Sequence, residues 1–192
     1  MSGEDIFRRA FAFSMREEGG DAYTDDPRDP GGPTKYGVAL RYNRGCIPDK
    51  DGDGDIDADD VKLLEEADAL ALYRERYWTP AGCDALPGAL AFMYADMVYN
   101  PGPGAAPRLL QRACNELGAA LSVDGRPGPR TLEAIRGLER AGRLEELLTA
   151  LADERLRYYQ SRRGWPTYGR GWTARTRRCL EEARRLLRGG AA

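Results

Sequence analysis

The sequence of 192 residues contains no histidine. Histidine is the usual general base near neutral pH and a common protein ligand of metal ions. Its absence excludes Ser-His-Asp and Cys-His catalysis, and it excludes zinc or haem held by histidine. Any catalytic chemistry must therefore use carboxylates, hydroxyls, thiols or the backbone.

Cysteine and long apolar segments are also scarce. The four cysteines lie at positions 46, 83, 114 and 179 and lack the CxxC spacing of zinc sites. We expect buried thiols, and a Cys46–Cys83 bridge stays open for an oxidising compartment. The longest uncharged apolar stretch, residues 86–95, is about half a membrane span. Since no basic segment opens the chain, we expect no signal peptide and no membrane insertion.

The net charge of −2 hides a strong segregation of charge. Residues 49–60 contain seven Asp and one Lys, whereas residues 155–192 contain eleven Arg and two Glu. Without the acidic segment the rest of the chain is mildly cationic. A cationic body suits a nucleic acid, an anionic membrane or a cell-wall polymer. The aromatic residues near the arginines lie in a Gly/Pro-rich segment, which is not typical of nucleic-acid readers, so we expect no nucleic-acid partner.

Hydrophobic periodicity indicates a mainly α fold. Apolar residues recur at helical spacing from Ile6 to Met15, and Gly19-Gly20 ends that helix. Further helices are predicted near residues 58–78, 87–99, 106–118, 130–138, 143–163 and 173–188. The turn-rich stretch between the first two helices predicts a small β element near residues 22–40.

The acidic segment predicts a calcium loop. It has the spacing of an EF-hand or dockerin loop, with Gly54 at the sharp turn and Ile56 after it. We expect a structural Ca²⁺, because clustered carboxylates repel one another unless a cation gathers them. Position 12 is Asp60 instead of Glu, and Pro48 leaves no entering helix, so a structural role is favoured over sensing. The predicted metal ligands are Asp49, Asp51, Asp53, Asp55, Asp57 and Asp60.

Glu17 and Glu18 fall within the apolar arc of the first helix. A carboxyl group on an apolar face is costly to ionise, so its pKa should rise, as a general acid near neutral pH requires. Glycosidic cleavage needs such a proton donor and no histidine. Periodicity does not choose between the two glutamates, and pairing with an arginine is an equally good interpretation.

Several motifs resemble glycoside hydrolase family 108, the N-acetylmuramidases of phage endolysins and bacterial secretion activators. They follow the family's order from about residue 5 to residue 185, and the later half is similar to a peptidoglycan-binding module. The matching segments include Glu18-Gly-Gly20, Asp26-Pro27, Asp29-Pro-Gly-Gly32, Thr34-Lys-Tyr-Gly-Val38, Tyr73-Arg-Glu-Arg-Tyr-Trp78, Leu86-Pro87, Asp96, Asn100, Leu110-Gln111, Asp124-Gly125, Gly128-Pro129, Thr131, Gly171-Trp172 and Arg175. Two residues inserted before Tyr23, and the aspartate-rich loop itself, depart from the family pattern.

The resemblance implies a lysozyme-like helical fold and cleavage of the β-1,4 bond between N-acetylmuramic acid and N-acetylglucosamine. Glu18 matches the catalytic acid of the motif. Asp29 is our first choice for the second catalytic group, with Asp26 and Thr34 behind it, although both aspartates could instead cap turns.

The remaining candidates for the substrate site have equally plausible structural roles. Tyr36, like Thr34, either hydrogen-bonds a sugar or packs. On one apolar helix, Asp96 is expected to accept hydrogen bonds that hold the active-site loop, and Asn100 to cap the helix end. Trp165 and Trp172 either stack on sugars or anchor the last helix.

For the whole chain we expect a catalytic region at residues 1–86 and a peptidoglycan-binding-like region at residues 87–192, packed as one monomeric unit. Peptidoglycan glycan strands are the expected partner. The protein would be made in the cytoplasm and would reach the wall or periplasm after release or through another export system. A lytic transglycosylase and a non-catalytic, calcium-stabilised wall-binding or secretion accessory protein remain alternatives.

Overall fold

Helices dominate the computed structural model, which describes residues 1–189. A two-residue turn joins the antiparallel strands β1 (Thr34–Lys35) and β2 (Val38–Ala39). The mainly α, lysozyme-like fold with a small β element near residues 22–40 is confirmed. The α-helices in the described residues are α1 (Gly3–Glu17), α2 (Leu40–Asn43), α3 (Ala58–Leu63), α4 (Glu66–Tyr73), α5 (Gly88–Tyr99), α6 (Ala106–Glu116), α7 (Pro129–Arg140), α8 (Leu144–Gln160) and α9 (Trp165–Gly189).

Contacts divide the chain into two compact units. The smaller unit is Phe11–Arg76, and the larger unit combines Met1–Ala10 with the chain from Tyr77 onward. Helix α1 contributes residues to both. The functional division expected between residues 86 and 87 stays a prediction. Each unit is described separately below.

In the larger unit, α5 is the central helix. Every residue from Ala89 to Val98 is buried, so α5 is covered on all sides. Helices α6, α8 and α9 pack around it, and α8 also packs against α6 and α9. A helix that is apolar all round has no face suited to water, which explains its central place.

Within this apolar interior, Asp96 forms ion pairs with two arginines. Its carboxylate is 0% exposed and lies 2.7 Å from Nη1 of Arg155 on α8 and 2.6 Å from Nη2 of Arg175 on α9. Nε of Arg155 also donates to the hydroxyl of Tyr159 at 3.0 Å. That hydroxyl donates in turn to Asn100, the C-terminal cap of α5. One carboxylate therefore links α5, α8 and α9.

Helix α9 begins at Trp165, about eight residues earlier than predicted from the Gly/Pro-rich segment. Pro166 lies in the first turn, where its missing N–H costs nothing. Trp172 stacks on Tyr159 with ring centroids 4.8 Å apart, and Trp165 packs over Gly169. These contacts anchor the start of α9, one of the two roles considered for the tryptophans.

In the smaller unit, the helix predicted over residues 58–78 is interrupted. Helix α3 ends before Leu64, because the extended backbone of Leu64 (ψ 138°) interrupts the helical hydrogen bonds. Helix α4 then starts at Glu66. Glu65 and Asp68 form a reciprocal capping box that begins α4. The last predicted turns, Arg74–Trp78, form a π-helical segment. The sequence pattern did not reveal this break, because Leu64 is buried and therefore fits the apolar spacing of a continuous helix.

All four cysteines are thiols, so no Cys46–Cys83 bridge is present. Burial raises the pKa of Cys83 to about 12 and that of Cys114 to about 11, which keeps both thiols protonated. None of the helices in residues 1–189 is long and apolar enough to cross a membrane.

Replacing Asp96 with Asn should destabilise the protein by about 3–5 kcal/mol, because two arginines would lose their buried counter-charge. Urea unfolding at neutral pH measures this loss. Burial alone would raise the pKa of Asp96, but Arg155 and Arg175 outweigh it and hold that pKa below the ordinary 3.8. The contribution is therefore complete above about pH 3.8 and is lost as the pH falls through the lowered pKa.

Asp153→Asn is the matched control, because Asp153 is an exposed aspartate on α8. We expect it to change the free energy of unfolding by less than about 0.5 kcal/mol. Equal stabilities of the Asp96 and Asp153 variants at neutral pH would contradict a structural role of the buried pairs.

Candidate active site

The end of α1 sets the position of Glu18. The amide of Gly20 donates to the carbonyl of Met15 at 2.9 Å, the long bond of a Schellman motif. Gly19 and Gly20 have φ of 99° and 85°, a region that residues with a Cβ rarely adopt. The two glycines therefore end the helix, and Glu18 occupies its C-terminal cap position.

Exposure distinguishes the two glutamates that the sequence left undecided. Glu17 is half-buried and Glu18 is exposed. The expectation that Glu18 lies on a buried apolar face is wrong, because α1 ends before that residue. Its carboxyl group is instead accessible to a large substrate.

The loop after α1 is closed by a backbone bridge. Thr24 and Thr34 exchange two hydrogen bonds of 2.8 and 2.9 Å, which join the start of the loop to β1. Within the loop, Arg28 forms a bidentate ion pair with Asp26 and lowers the pKa of that carboxyl group. Asp26, Asp29 and Thr34 thus lie in one closed segment, and their place in a common site stays a prediction.

Asp29 lies in a cleft beside cationic residues. Its Oδ1 accepts from the amide of Gly31 at 2.8 Å, a turn-capping contact. The cleft has a volume of about 520 Å³ and also exposes Arg28, Arg41 and Arg44. Glu18 is not among its lining residues. The structure therefore gives Asp29 both a turn-capping contact and access to a cleft.

The β-hairpin depends on an unusual backbone at its turn. Tyr36 has φ 51° and Gly37 has φ 70°, which are typical of the two-residue turns that match strand twist. Next to this turn, Nζ of Lys35 donates to the carbonyls of Lys62 at 2.8 Å and Leu64 at 2.7 Å. Lys35 thereby caps α3 and joins it to β1. Lys35 has no role that its neighbours in the sequence predict, because no local signal marks a partner 27 residues away.

The acidic loop places its carboxylates in two groups. Within each group, one oxygen of every residue lies within 4.8 Å of the others. The groups are Asp49, Asp51 and Asp53, and Asp55, Asp57 and Asp60.

Backbone amides partly offset the charge of this loop. Asp60, which is 1% exposed, accepts from the amides of Lys50 at 2.6 Å and Asp57 at 2.8 Å. These bonds lower the pKa of Asp60. The negative charge of Asp53, by contrast, raises the pKa of Asp55. The exposed part of the loop thus retains the repulsion that a bound cation would relieve.

The acidic loop also influences the loop after α1. Partial burial and then the charges of Asp25, Asp59 and Asp57 raise the pKa of Tyr23. Since these charges act on Tyr23, the aspartate-rich segment lies close to the start of the loop that carries Asp26 and Asp29. No sequence pattern predicts this proximity.

Asp96 and Asn100 do not lie in an open site. Asp96 is fully buried with Arg155 and Arg175, so it has no surface for substrate, and its two ion pairs join helices. Asn100 caps α5, as expected. One sequence signal could have identified Arg155 as a partner of Asp96. Arg155 follows the buried residues Leu148 and Leu151 of α8 at helical spacing, so it lies on the buried face of that helix.

A second missed contact holds the segment around Asp124. The side chain of Gln111 on α6 donates to Asp124 at 2.8 Å and accepts from the amide of Gly125 at 2.9 Å. Gly125 has φ 79°, which favours glycine. Gln111 therefore fixes the loop that leads into α7.

Two protein-family models match successive regions of the chain. Residues 11–102 match the model described as glycosyl hydrolase 108. This region of the chain is therefore identified as a glycosyl hydrolase 108 domain. Residues 105–177 match a model described as a predicted peptidoglycan domain. Together the two matches identify a glycoside hydrolase that acts on peptidoglycan.

A solved structure supports the family assignment. The chain is similar to SagA of Brucella abortus, with 29% identity, a TM-score of 0.73 and coverage of 94% of each chain. A comparison with curated proteins found no match. The similarity spans both family regions.

Replacing Lys35 with Met should destabilise the protein by about 1–2 kcal/mol, because two carbonyls at the end of α3 lose a charged donor. Thermal and urea unfolding measure the effect. Lys62→Met is the control, since Lys62 is an exposed lysine on α3. If both variants unfolded like the wild type, the contacts of Lys35 would not contribute to the stability of the protein.

Proposed function

We propose that this chain is an N-acetylmuramidase that hydrolyses the β-1,4 bond between N-acetylmuramic acid and N-acetylglucosamine, with Glu18 as the general acid. The observation that carries the proposal is the family match over residues 11–102, within which Glu18 is exposed at the end of α1. The absence of histidine agrees with it, because zinc-dependent and Cys-His wall hydrolases need that residue.

In the proposed reaction, the carboxyl group of Glu18 gives its proton to the glycosidic oxygen as the C–O bond breaks. The sugar becomes oxocarbenium-like, and water supplies the hydroxyl group of the new reducing end. The second proton of that water passes to a carboxylate or to solvent, and Glu18 takes up a proton again before the next reaction. A bound polymer would itself exclude water from the exposed carboxyl group. Two positive-φ glycines hold the chain after Glu18, which favours a defined position for the acid.

Asp29 is the proposed second group. Its bond to the amide of Gly31 orients the carboxylate, and the cleft leaves it open to a ligand. In this role Asp29 would stabilise the positive charge on the sugar or orient the attacking water. Asp26 is less suited, because Arg28 already holds both of its oxygens.

Glu18→Gln should reduce clearing of purified peptidoglycan by about 10²–10⁴-fold, because the amide has no proton to donate at neutral pH. Turbidity loss of sacculi gives the rate. Mass spectrometry of the products of the wild type should show new muramic acid reducing ends.

Glu17→Gln is the matched control, since it removes the same charge one residue earlier. We expect it to retain most of the activity. Loss of clearing in the Glu17 variant together with unchanged clearing in the Glu18 variant would move the acid to Glu17. Products with anhydro-muramic ends would identify a lytic transglycosylase instead of a hydrolase.

We also propose that the loop Asp49–Asp60 binds one structural Ca²⁺. The EF-hand spacing of its oxygen ligands and the two carboxylate groups support the proposal. Asp60 would close the site from the first turn of α3, whose far end Lys35 holds. Calcium binding would therefore stabilise α3 without taking part in bond cleavage.

Millimolar CaCl₂ should raise the melting temperature relative to EDTA. Saturation at 100 times the Kd adds about 2.7 kcal/mol, and each kcal/mol raises the melting temperature by about 2–4 °C in a protein of this size. Differential scanning calorimetry in the two buffers measures the shift.

Asp51→Asn combined with Asp53→Asn should remove most of that shift, whereas Asp153→Asn should keep it. The cleaved bond should be the same in calcium and in EDTA. Superimposable melting curves of the wild type in the two buffers would contradict a filled calcium site.

A further inference from the structure

A groove rich in arginine runs across the larger unit between α6 and the end of α8. Its volume is about 690 Å³, and Leu109 is part of its apolar lining. Arg108 and Arg112 enter it from α6, and Arg157 and Arg162 enter it from α8 and the turn that follows. All four arginines fall within the region that matches the peptidoglycan-domain model.

The charges in this groove are only partly balanced. Glu154 is shared by Arg157 at 2.9 Å and Arg112 at 3.8 Å, and Glu116 also pairs with Arg157. The other two arginines have neutral partners. Arg108 donates to the carbonyl of Val123 at 2.8 Å, and Arg162 lies 4.2 Å from the ring centre of Tyr158. Within the described residues these four arginines form ion pairs with two carboxylates, and the charge of Asp153 also acts on Arg157.

The guanidinium groups are accessible to a ligand. The side chains of Arg112 and Arg157 are 54% and 52% exposed, and Arg108 and Arg162 are also exposed. A guanidinium has five N–H donors in a fixed plane, so one protein partner leaves donors for another carboxylate. The ring of Tyr158 holds Arg162 against one wall and lowers the cost of ordering it.

We propose that this arginine groove binds the stem peptides of peptidoglycan through their carboxylates. The inference rests on the proposed peptidoglycan substrate and adds the part of the polymer that the C-terminal region recognises. Arginine forks bind carboxylates in bidentate geometry, and the apolar lining suits the methyl groups of alanine residues. The groove would therefore favour glycan strands that carry peptides.

The mixed charge of the groove favours a peptide over a dense polyanion. Nucleic acids and wall phosphate polymers present closely spaced negative charges, which Glu116 and Glu154 would repel. A stem peptide has separated carboxylates and, where it contains a diamino acid, an ammonium group. The arginines suit the carboxylates of the peptide, and the two glutamates suit its ammonium group.

The test uses the full chain with Glu18→Gln, so that binding does not depend on cleavage. Arg112→Gln with Arg162→Gln is the groove variant, and Arg136→Gln with Arg177→Gln is the matched control. Arg136 and Arg177 are exposed and lie outside the groove, so both variants lose the same charge. Co-sedimentation with sacculi should weaken at least about tenfold in the groove variant and less than about twofold in the control.

Competition identifies the ligand. The probe is the synthetic tetrapeptide L-alanyl-γ-D-glutamyl-diaminopimelyl-D-alanine, compared with the same peptide with every carboxylate amidated. The tetrapeptide should displace the chain from sacculi, and the amidated form should need at least about tenfold more. Equal potency of the two peptides would overturn the proposal, and so would equal loss of binding in the groove and control variants.

Two further results separate this proposal from others. Displacement by short single-stranded DNA or polyphosphate, without displacement by the tetrapeptide, would overturn it in favour of a polyanion site. Product analysis of the wild type tests the muramidase reaction separately. Absence of muramic acid reducing ends would refute that reaction, whereas the peptide competition would still decide the ligand of the groove.

Discussion

The larger unit depends on one buried carboxylate. Asp96 is the counter-charge for Arg155 and Arg175, and through them it joins α5, α8 and α9. A buried arginine without a partner is very costly, so the three helices can pack only if all three side chains meet. The hydroxyl of Tyr159 extends this network to the end of α5. Charge within an apolar interior thus specifies how these helices are arranged.

The segments of the smaller unit near Glu18 are held by hydrogen bonds to backbone groups instead. Two glycines end α1 beside Glu18, the Thr24–Thr34 bridge closes the following loop, and Lys35 caps α3. Each contact fixes a short segment that has few apolar residues of its own. Such segments carry binding and catalytic groups because their side chains stay accessible. Bound calcium would add a further restraint, acting at the start of α3.

The helical spacing of apolar residues was sufficient to predict most helices and the mainly α fold class. This pattern gave wrong helix boundaries where a specific contact ends or begins a helix. The break at Leu64 arises from a capping box and from Lys35, a partner distant in the sequence. The early start of α9 arises because proline is tolerated in a first turn and Trp172 packs on Tyr159. Glu18 is exposed because α1 ends one residue before it, and periodicity does not define ends that closely.

The sequence by itself indicated the resemblance to glycosyl hydrolase 108, the candidate acid at Glu18, the acidic loop and the exclusion of histidine chemistry, because each depends on residue type and order. Tertiary structure decided that Asp96 is buried between two arginines, that Lys35 joins the hairpin to α3, and that four arginines line one groove. The partners in the first two outcomes are between 27 and 79 positions apart, and the groove joins two helices that are distant in the sequence. Only the folded chain brings such residues together, since local propensity contains no information on distant partners.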